Sequence, residues 1–309
     1  MPPIGPASSR DVPKTRFSCD LIALDLDGTL LRPDGSVSPR SIETIARARE
    51  AGIDVIICTG RGYVECEHVL RWIGQTHAVV VAGGSITACG RTGKTLHRFT
   101  MHPSLVGRVV NTLHAHRQAA MILKDPSAAG YDYLVLGGED EHPVDPVTSW
   151  WFEELGVTAR FARTLEDDEH PEQTVRVGLC TDERTSAPIA EALLSDLPES
   201  AMLHNFPAVV GPRQGESEPR RVNIVEVFDG RASKWNAIER LTRERSIDPS
   251  RVLAIGDEIN DLSMISAAGI GVAMGNAIDA VRDVADRHTE ANSEDGAALA
   301  IERVLEGAW

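Results

Sequence analysis

No stretch of the sequence approaches the roughly 20 consecutive apolar residues that a membrane-spanning helix needs. Cysteine is scarce: Cys19, Cys58, Cys66, Cys89 and Cys180 are odd in number, and no Cys-x-x-Cys pair occurs among them. Scattered, unpaired thiols of this kind point to a cytoplasmic protein with reduced cysteines rather than to a disulfide framework. Positive charge is short as well, with 31 lysines and arginines against 46 aspartates and glutamates and a formal net charge of -15. Such a field disfavours non-specific binding to nucleic acid or to an anionic membrane, and an anionic substrate then needs locally placed cations. Aromatic residues make up only 5% of the chain, and no basic run is interleaved with them, which argues against a nucleic-acid surface. The first eighteen residues hold four prolines and no apolar signal-peptide core, and are expected to form a flexible tail. No internal repeat or long low-complexity tract is present.

What remains is an ordinary soluble composition, 42% hydrophobic over 309 residues, enough for two globular units. Leu21-Ile22-Ala23-Leu24 is a short apolar run suited to a strand buried on both faces, and it ends at an acidic turn, Asp25 to Gly28. Ser38-Pro39 starts a helix that Gly52 closes. Ile53 to Cys58 and Ala78 to Ala82 read as further buried strands. Strand and helix alternate in the way that builds a doubly wound parallel α/β sheet. The grammar returns late, with a helix from Ser233 to Glu244, a strand Val252 to Ile255, a helix Asp261 to Ala268 and a strand Ile270 to Ala273. Asn276 is expected to cap another helix, and Gly296 to Leu305 to form the terminal one. Between these halves lies an α+β pattern: a helical face of Val106, Val109, Val110 and Leu113, and strands at Met121 to Lys124, Tyr133 to Leu136, Val175 to Cys180 and Val222 to Phe228. Gly137 to Pro146 and Pro212 to Arg221 are rich in charge, glycine and proline and are expected to be mobile loops. Trp150-Trp151-Phe152, within the insertion, is expected to pack in a core or at the insertion's interface rather than to stack on a ligand.

Chemistry is concentrated at strand ends. Asp25-Leu26-Asp27-Gly28-Thr29 places two carboxylates where the chain leaves the sheet. There Asp25 can attack a phosphorus atom, while Asp27 protonates the departing alcohol and later activates water. A carboxylate about 4 Å from a phosphate is repelled by about 4 kcal/mol per unit charge pair at an effective dielectric of about 20, so cations are required. Gly256-Asp257-Glu258-Ile259-Asn260-Asp261 ends a second strand with carboxylates. With Asp25 and the Asp27 carbonyl, Asp257 would complete an oxygen-rich Mg²⁺ site. Asn260 and Asp261 would orient phosphate, water or Lys234, and the hydroxyl and backbone of Thr59-Gly60-Arg61 could hold phosphate oxygens. Taken singly, each piece has a plainer reading: a strand-ending turn, a solvated lysine, or an N-cap at Asp261.

Together these residues resemble the four motifs of the haloacid dehalogenase superfamily, in the family's order. The nearest likeness is to the Cof-like phosphatases, which carry a large cap after the third core strand. The resemblance rests on Asp25 to Leu30, Cys58 to Arg61, Ser233-Lys234, Gly256-Asp257 with Asn260-Asp261, Gly271 to Ala277 and Glu294 to Ala297. It implies a core of residues 19–85 and 230–309, an α+β cap of residues 86–229, and a magnesium-dependent phosphatase acting on a small phosphorylated metabolite. The implied roles are Asp25 as nucleophile and Asp27 as acid/base; Thr59, Gly60, Lys234 and Asn260 at the phosphate; Asp25, Asp27 and Asp257 at the metal; and Asp261 in support. Two departures stand out: Gly83-Gly84-Ser85 where many relatives have Asn-Gly-Ala, and Trp235 where many have glycine. A phosphosugar mutase built from the same parts and a non-catalytic phosphometabolite-binding protein are the alternatives.

Overall fold

The computed structural model describes residues 17–138, 142–210 and 220–309. Five strands come first, β1 (Leu21–Leu24), β2 (Asp54–Cys58), β3 (Ala78–Val81), β4 (Ile86–Cys89) and β5 (Thr95–Arg98). Six follow in the middle of the chain: β6 (Ala120–Lys124), β7 (Tyr133–Leu136), β8 (Ala159–Ala162), β9 (Thr174–Thr181), β10 (Ala201–Val210) and β11 (Arg220–Asp229). The last are β12 (Val252–Gly256), β13 (Ile270–Ala273) and β14 (Arg287–His288).

They form two sheets, an eight-stranded one in the order β14-β13-β12-β1-β2-β3-β4-β5 and a six-stranded one in the order β10-β11-β9-β6-β7-β8. From β14 to β3 the first sheet is parallel, and β1 lies between β12 and β2. Every residue of β1 and β12 is fully buried, because helices cover both faces and a near-continuous apolar run then meets core on either side. Carboxyl ends of adjacent parallel strands come out together, which is where such sheets hold ligands. Asp25 and Asp257, each one residue past its strand, are thereby brought side by side from opposite ends of the sequence.

Several expectations shift. The boundary expected after residue 85 falls inside the first sheet: β4 and β5 form an antiparallel hairpin on β3, and the second sheet starts only at β6. The tail expected over residues 1–18 is pinned at its end, where the Phe17 N–H donates to the Trp309 carbonyl at 3.2 Å; residues 1–16 lie outside the described part. The two loops expected to be mobile are Gly137 to Pro146, of which 139–141 lie outside the described residues, and Pro212 to Arg221, of which 212–219 do. Arg220 and Arg221 already belong to β11. Asn276 caps no helix; the helix after it, Asp279–Val284, has Ile278 at its N-cap, and the Asn276 side chain is used elsewhere.

The second sheet has its own apolar layer, where Val106, Val109, Val110 and Leu113 of the helix Pro103–Ala115 meet Ile122, Val177 and Val227. Its other face closes over the first sheet, so Leu123, Tyr133, Val135 and Val175 share a core with β1 to β3. Phe152 joins that junction with its ring centroid 5.0 Å from that of Tyr133, the packing role expected of it. Among the described residues no helix is long and apolar enough to cross a membrane.

Candidate active site

Asp25 is almost completely buried at the end of β1, its N–H donating to the Ile255 carbonyl of β12 at 3.1 Å. Lys234, at the first turn of the helix Lys234–Arg245, reaches it with no exposed surface of its own. Its ammonium lies 2.6 Å from Asp25 Oδ1 and 2.6 Å from Asp261 Oδ1. Burial alone would discharge such a lysine, but the two carboxylates outweigh it and hold the ammonium protonated. The same burial, with the charge of Asp261, drives the Asp25 carboxyl well above the usual range, and Lys234 is its chief opponent.

A tight approach makes this possible. Gly84 has φ of 103°, and a Cβ there would lie 2.2 Å from the Ser233 carbonyl. Gly84, the position that the Asn-Gly-Ala pattern also fills with glycine, thus lets the loop after β3 lie against the lysine-bearing helix, and the departure itself is at Gly83 and Ser85. Trp235, the second departure, packs at the edge of the core and leaves Lys234 in place.

Asp257 ends β12 with its carboxylate held on both oxygens. Thr29 Oγ1 donates to Oδ1 at 2.9 Å, and Asn276 Nδ2 donates to Oδ2 at 3.1 Å while also reaching the Gly28 carbonyl. Gly28 must be glycine, since at φ of 75° a Cβ would sit 2.1 Å from Asp257 Oδ2. Burial, and next the charge of Asp261, push the Asp257 carboxyl up to about 8.

Asp25, Asp257 and Asp261 offer oxygens within 4.8 Å of one another. Asp261 is saturated: Oδ1 takes Lys234, and Oδ2 accepts from the N–H groups of Asp257 and Glu258 at 2.9 and 3.1 Å. It therefore positions the lysine and the turn. Three carboxylates against one ammonium leave two formal negative charges in a buried place. Hard anionic oxygens with that imbalance suit a divalent cation of the Mg²⁺ type, which Asp25 and Asp257 could hold.

Asp27 stands apart. Its side chain is 54% exposed and its carboxylate is held by the Arg61 guanidinium, so that carboxylate lies outside the acidic cluster. Thr59 is fully buried at the end of β2 and its Oγ1 accepts the Arg61 N–H at 3.1 Å, leaving its own O–H to donate. Gly60 lies against Asn260, where a Cβ would meet Nδ2 at 3.3 Å, and Asn260 Oδ1 is buried with no partner.

Some contributors escaped sequence reading. Thr29 and Asn276 lie inside motifs already singled out, and their contact with Asp257 was the missing information. Others come from the second sheet, where no motif marks them. Buried Arg176 of β9 donates to the Gly60 carbonyl at 2.7 Å, pairs with Glu226 of β11 at 2.7 Å and donates to the Tyr133 hydroxyl at 2.6 Å. That hydroxyl donates to Glu65 at 3.0 Å, and Glu65 accepts the Gly62 N–H at 2.6 Å. The loop carrying Thr59 to Gly62 is thus gripped from the second sheet and from the helix Tyr63–Trp72 that follows it.

Comparison with known proteins agrees with this geometry. The family model described as haloacid dehalogenase-like hydrolase matches residues 22–301. The pyridoxal phosphate phosphatase YbhA of Escherichia coli is 32% identical over 284 residues, 91% of this chain and 97% of that protein. The 5-amino-6-(5-phospho-D-ribitylamino)uracil phosphatase YitU of Bacillus subtilis is 29% identical over 284 residues, 90% of this chain and 94% of its own length. A haloacid dehalogenase-like hydrolase from Bacteroides thetaiotaomicron shares the fold with a TM-score of 0.73 at 24% identity, over 93% of this chain and 100% of that one.

Proposed function

The chain belongs to the haloacid dehalogenase-like hydrolase family and is a phosphatase within it, and on that premise we propose that it hydrolyses phosphate monoesters of small metabolites through an aspartyl phosphate on Asp25. The observation that carries the reading is the clamp at Asp25. A buried carboxylate at the end of a parallel strand has one oxygen fixed by Lys234, beside a second carboxylate, Asp257, that is oriented on both oxygens. The metabolites in the relatives' names, pyridoxal phosphate and a phosphoribitylamino-uracil, are of the proposed class.

In this reading Asp25 Oδ2, the oxygen that Lys234 leaves, attacks phosphorus as the bond to the alcohol oxygen breaks. Asp27 gives that oxygen its proton. The resulting Asp27 carboxylate then takes a proton from water, whose oxygen attacks phosphorus, breaks the bond to Asp25 and releases inorganic phosphate. Lys234 has a third N–H for a phosphate oxygen beyond those used on Asp25 and Asp261, and the Thr59 hydroxyl, the Gly60 backbone and Asn260 line the same place. Asp27 keeps one oxygen on the Arg61 guanidinium and turns the other, which carries the proton, to the leaving oxygen, as its exposed position allows. Asp25 and Asp257 would hold Mg²⁺, and the ion when bound supplies positive charge against the phosphate and the acidic cluster. The second sheet, standing over the strand ends, serves as the cap that excludes water and selects the ester.

The test is phosphate release from a metabolite panel, with and without Mg²⁺, by the wild type and by Asp25→Asn. The wild type is expected to release inorganic phosphate only with the metal, and the variant to lose at least about 10⁴-fold in rate. Magnesium-dependent release that survives in Asp25→Asn removes the nucleophile. Transfer of phosphate between sugar positions without release would identify a mutase instead.

A further inference from the structure

Gly178, Glu226 and His204 are register partners in one row across β9, β11 and β10. Arg176, two residues before Gly178, points to the same side. That side faces the active site, since Arg176 reaches the Gly60 carbonyl at 2.7 Å and β10 packs on the turn of residues 259–261. The Phe228 ring stands 3.2 Å from where a Cβ of Gly83 would be. His204 packs on Phe228 with ring centroids 5.3 Å apart, and its Nδ1 is shielded from solvent and has no hydrogen-bond partner. A buried ring nitrogen left in this way asks for a partner from a ligand.

The cations on this side are already engaged. Arg176 is paired with Glu226 at 2.7 Å, Lys234 with Asp25 and Asp261 at 2.6 Å, and Arg61 with Asp27 at 2.6 Å. Burial, reinforced by the Lys234 ammonium, pushes the His204 imidazole down to about 4, so it is neutral at physiological pH. A second anionic group on the substrate would therefore meet, among these residues, only cations that are engaged, along with the carboxylates of Glu226 and Asp257.

We infer that His204 is a specificity-determining residue that recognises the leaving group of the phosphate ester by a hydrogen bond at Nδ1, and that this leaving group is an uncharged polar alcohol, a polyol or a heteroaromatic alcohol, rather than one bearing a second phosphate or a carboxylate. The inference rests on the phosphatase reading above and adds the substrate class and the residue that selects it. Phe228 supplies an apolar ring beside the hydrogen bond, and the Arg176–Glu226 pair presents a polar wall without net charge.

The test compares polyol and heteroaromatic monophosphates with counterparts carrying a second phosphate or a carboxylate. p-Nitrophenyl phosphate is the reference, and the enzymes are the wild type, His204→Ala, His204→Asn and His204→Gln. The wild type is expected to favour the uncharged remainder by at least about tenfold in kcat/KM. In His204→Ala the ratio of kcat/KM for the best metabolite to that for p-nitrophenyl phosphate should fall about tenfold, mainly through KM, the size of one lost hydrogen bond. The Asn amide falls where Nδ1 lies and should restore most of the ratio; the Gln amide falls nearer Nε2 and should not. An unchanged ratio, an equal loss on both esters, equal rescue by Asn and Gln, or preference for the doubly anionic esters overturns the inference. The Asn and Gln contrast decides it even where His204→Ala fails to fold. Absence of phosphate release from every ester by the wild type would instead overturn the phosphatase reading.

Discussion

Arg61 holds Asp27 through two parallel hydrogen bonds, Nε to Oδ2 at 2.9 Å and Nη2 to Oδ1 at 2.6 Å. The group proposed to move the proton therefore waits in a fixed place, although more than half of its side-chain surface is open to solvent. Replacing Arg61 by Ala should release it to wander. Single-turnover release of the alcohol is expected to slow about tenfold for an alkyl phosphate, and by less than about twofold for p-nitrophenyl phosphate, whose leaving group needs no proton. Arg61→Lys should not rescue, because an ammonium cannot form the fork. Equal slowing of both esters would place Arg61 at the phosphate and not at the proton.

Magnesium should act on stability and not only on rate. Wild-type protein in excess Mg²⁺ is expected to melt above the same protein in EDTA, by the equivalent of about 2.7 kcal/mol at 100 times the Kd. In Asp257→Asn that rise should vanish. Yet the variant in EDTA should melt at or above the wild type, because it lacks one of the crowded carboxylates that burial and Asp261 disfavour. Scanning calorimetry on both proteins checks the crossover, and a full metal response in the variant would remove Asp257 from the ion.

His204 should also leave a mark on acid stability. Burial first, then the Lys234 ammonium, lower its folded-state value from 6.5 to about 4, while Asp261 pulls the other way. The unfolded chain then binds more protons between those limits, so the folded state loses stability as pH falls from 6.5 to about 4 and loses no more below that. The difference amounts to about 3 kcal/mol. Urea midpoints of the wild type and His204→Asn should therefore converge or cross as pH is lowered through this window. Parallel curves across it would mean that the imidazole is not shielded.

Much of the core could be read directly from residues. The Leu21 to Leu24 run, a cap-and-proline start at Ser38-Pro39 and the Gly296–Leu305 helix are local signals, and each appears where the residues place it. Asp25, Lys234, Asp257 and Asp261 converge because buried parallel strands put distant loops at one edge. The rest depends on contacts that no local pattern encodes. β10 carries His204, Asn205 and Pro207 in its interior, which hides any apolar alternation, and the helix Glu183–Asp196 contains Pro188. The hairpin β4–β5 looks like the start of an insertion until its pairing with β3 is seen. Asn276 has the form of a helix cap, but its amide is drawn 3.1 Å from Asp257 instead.

The grip of Arg176 on the Gly60 carbonyl means that the two sheets are not separable modules. A change on β9 that displaces Arg176 would also disturb the Gly60 backbone proposed to line the transferred group, so the choice of molecule and the pace of turnover would be tied through that guanidinium. Drift towards new esters would have to pass through residues that leave that guanidinium alone, and the strand β10 offers such positions.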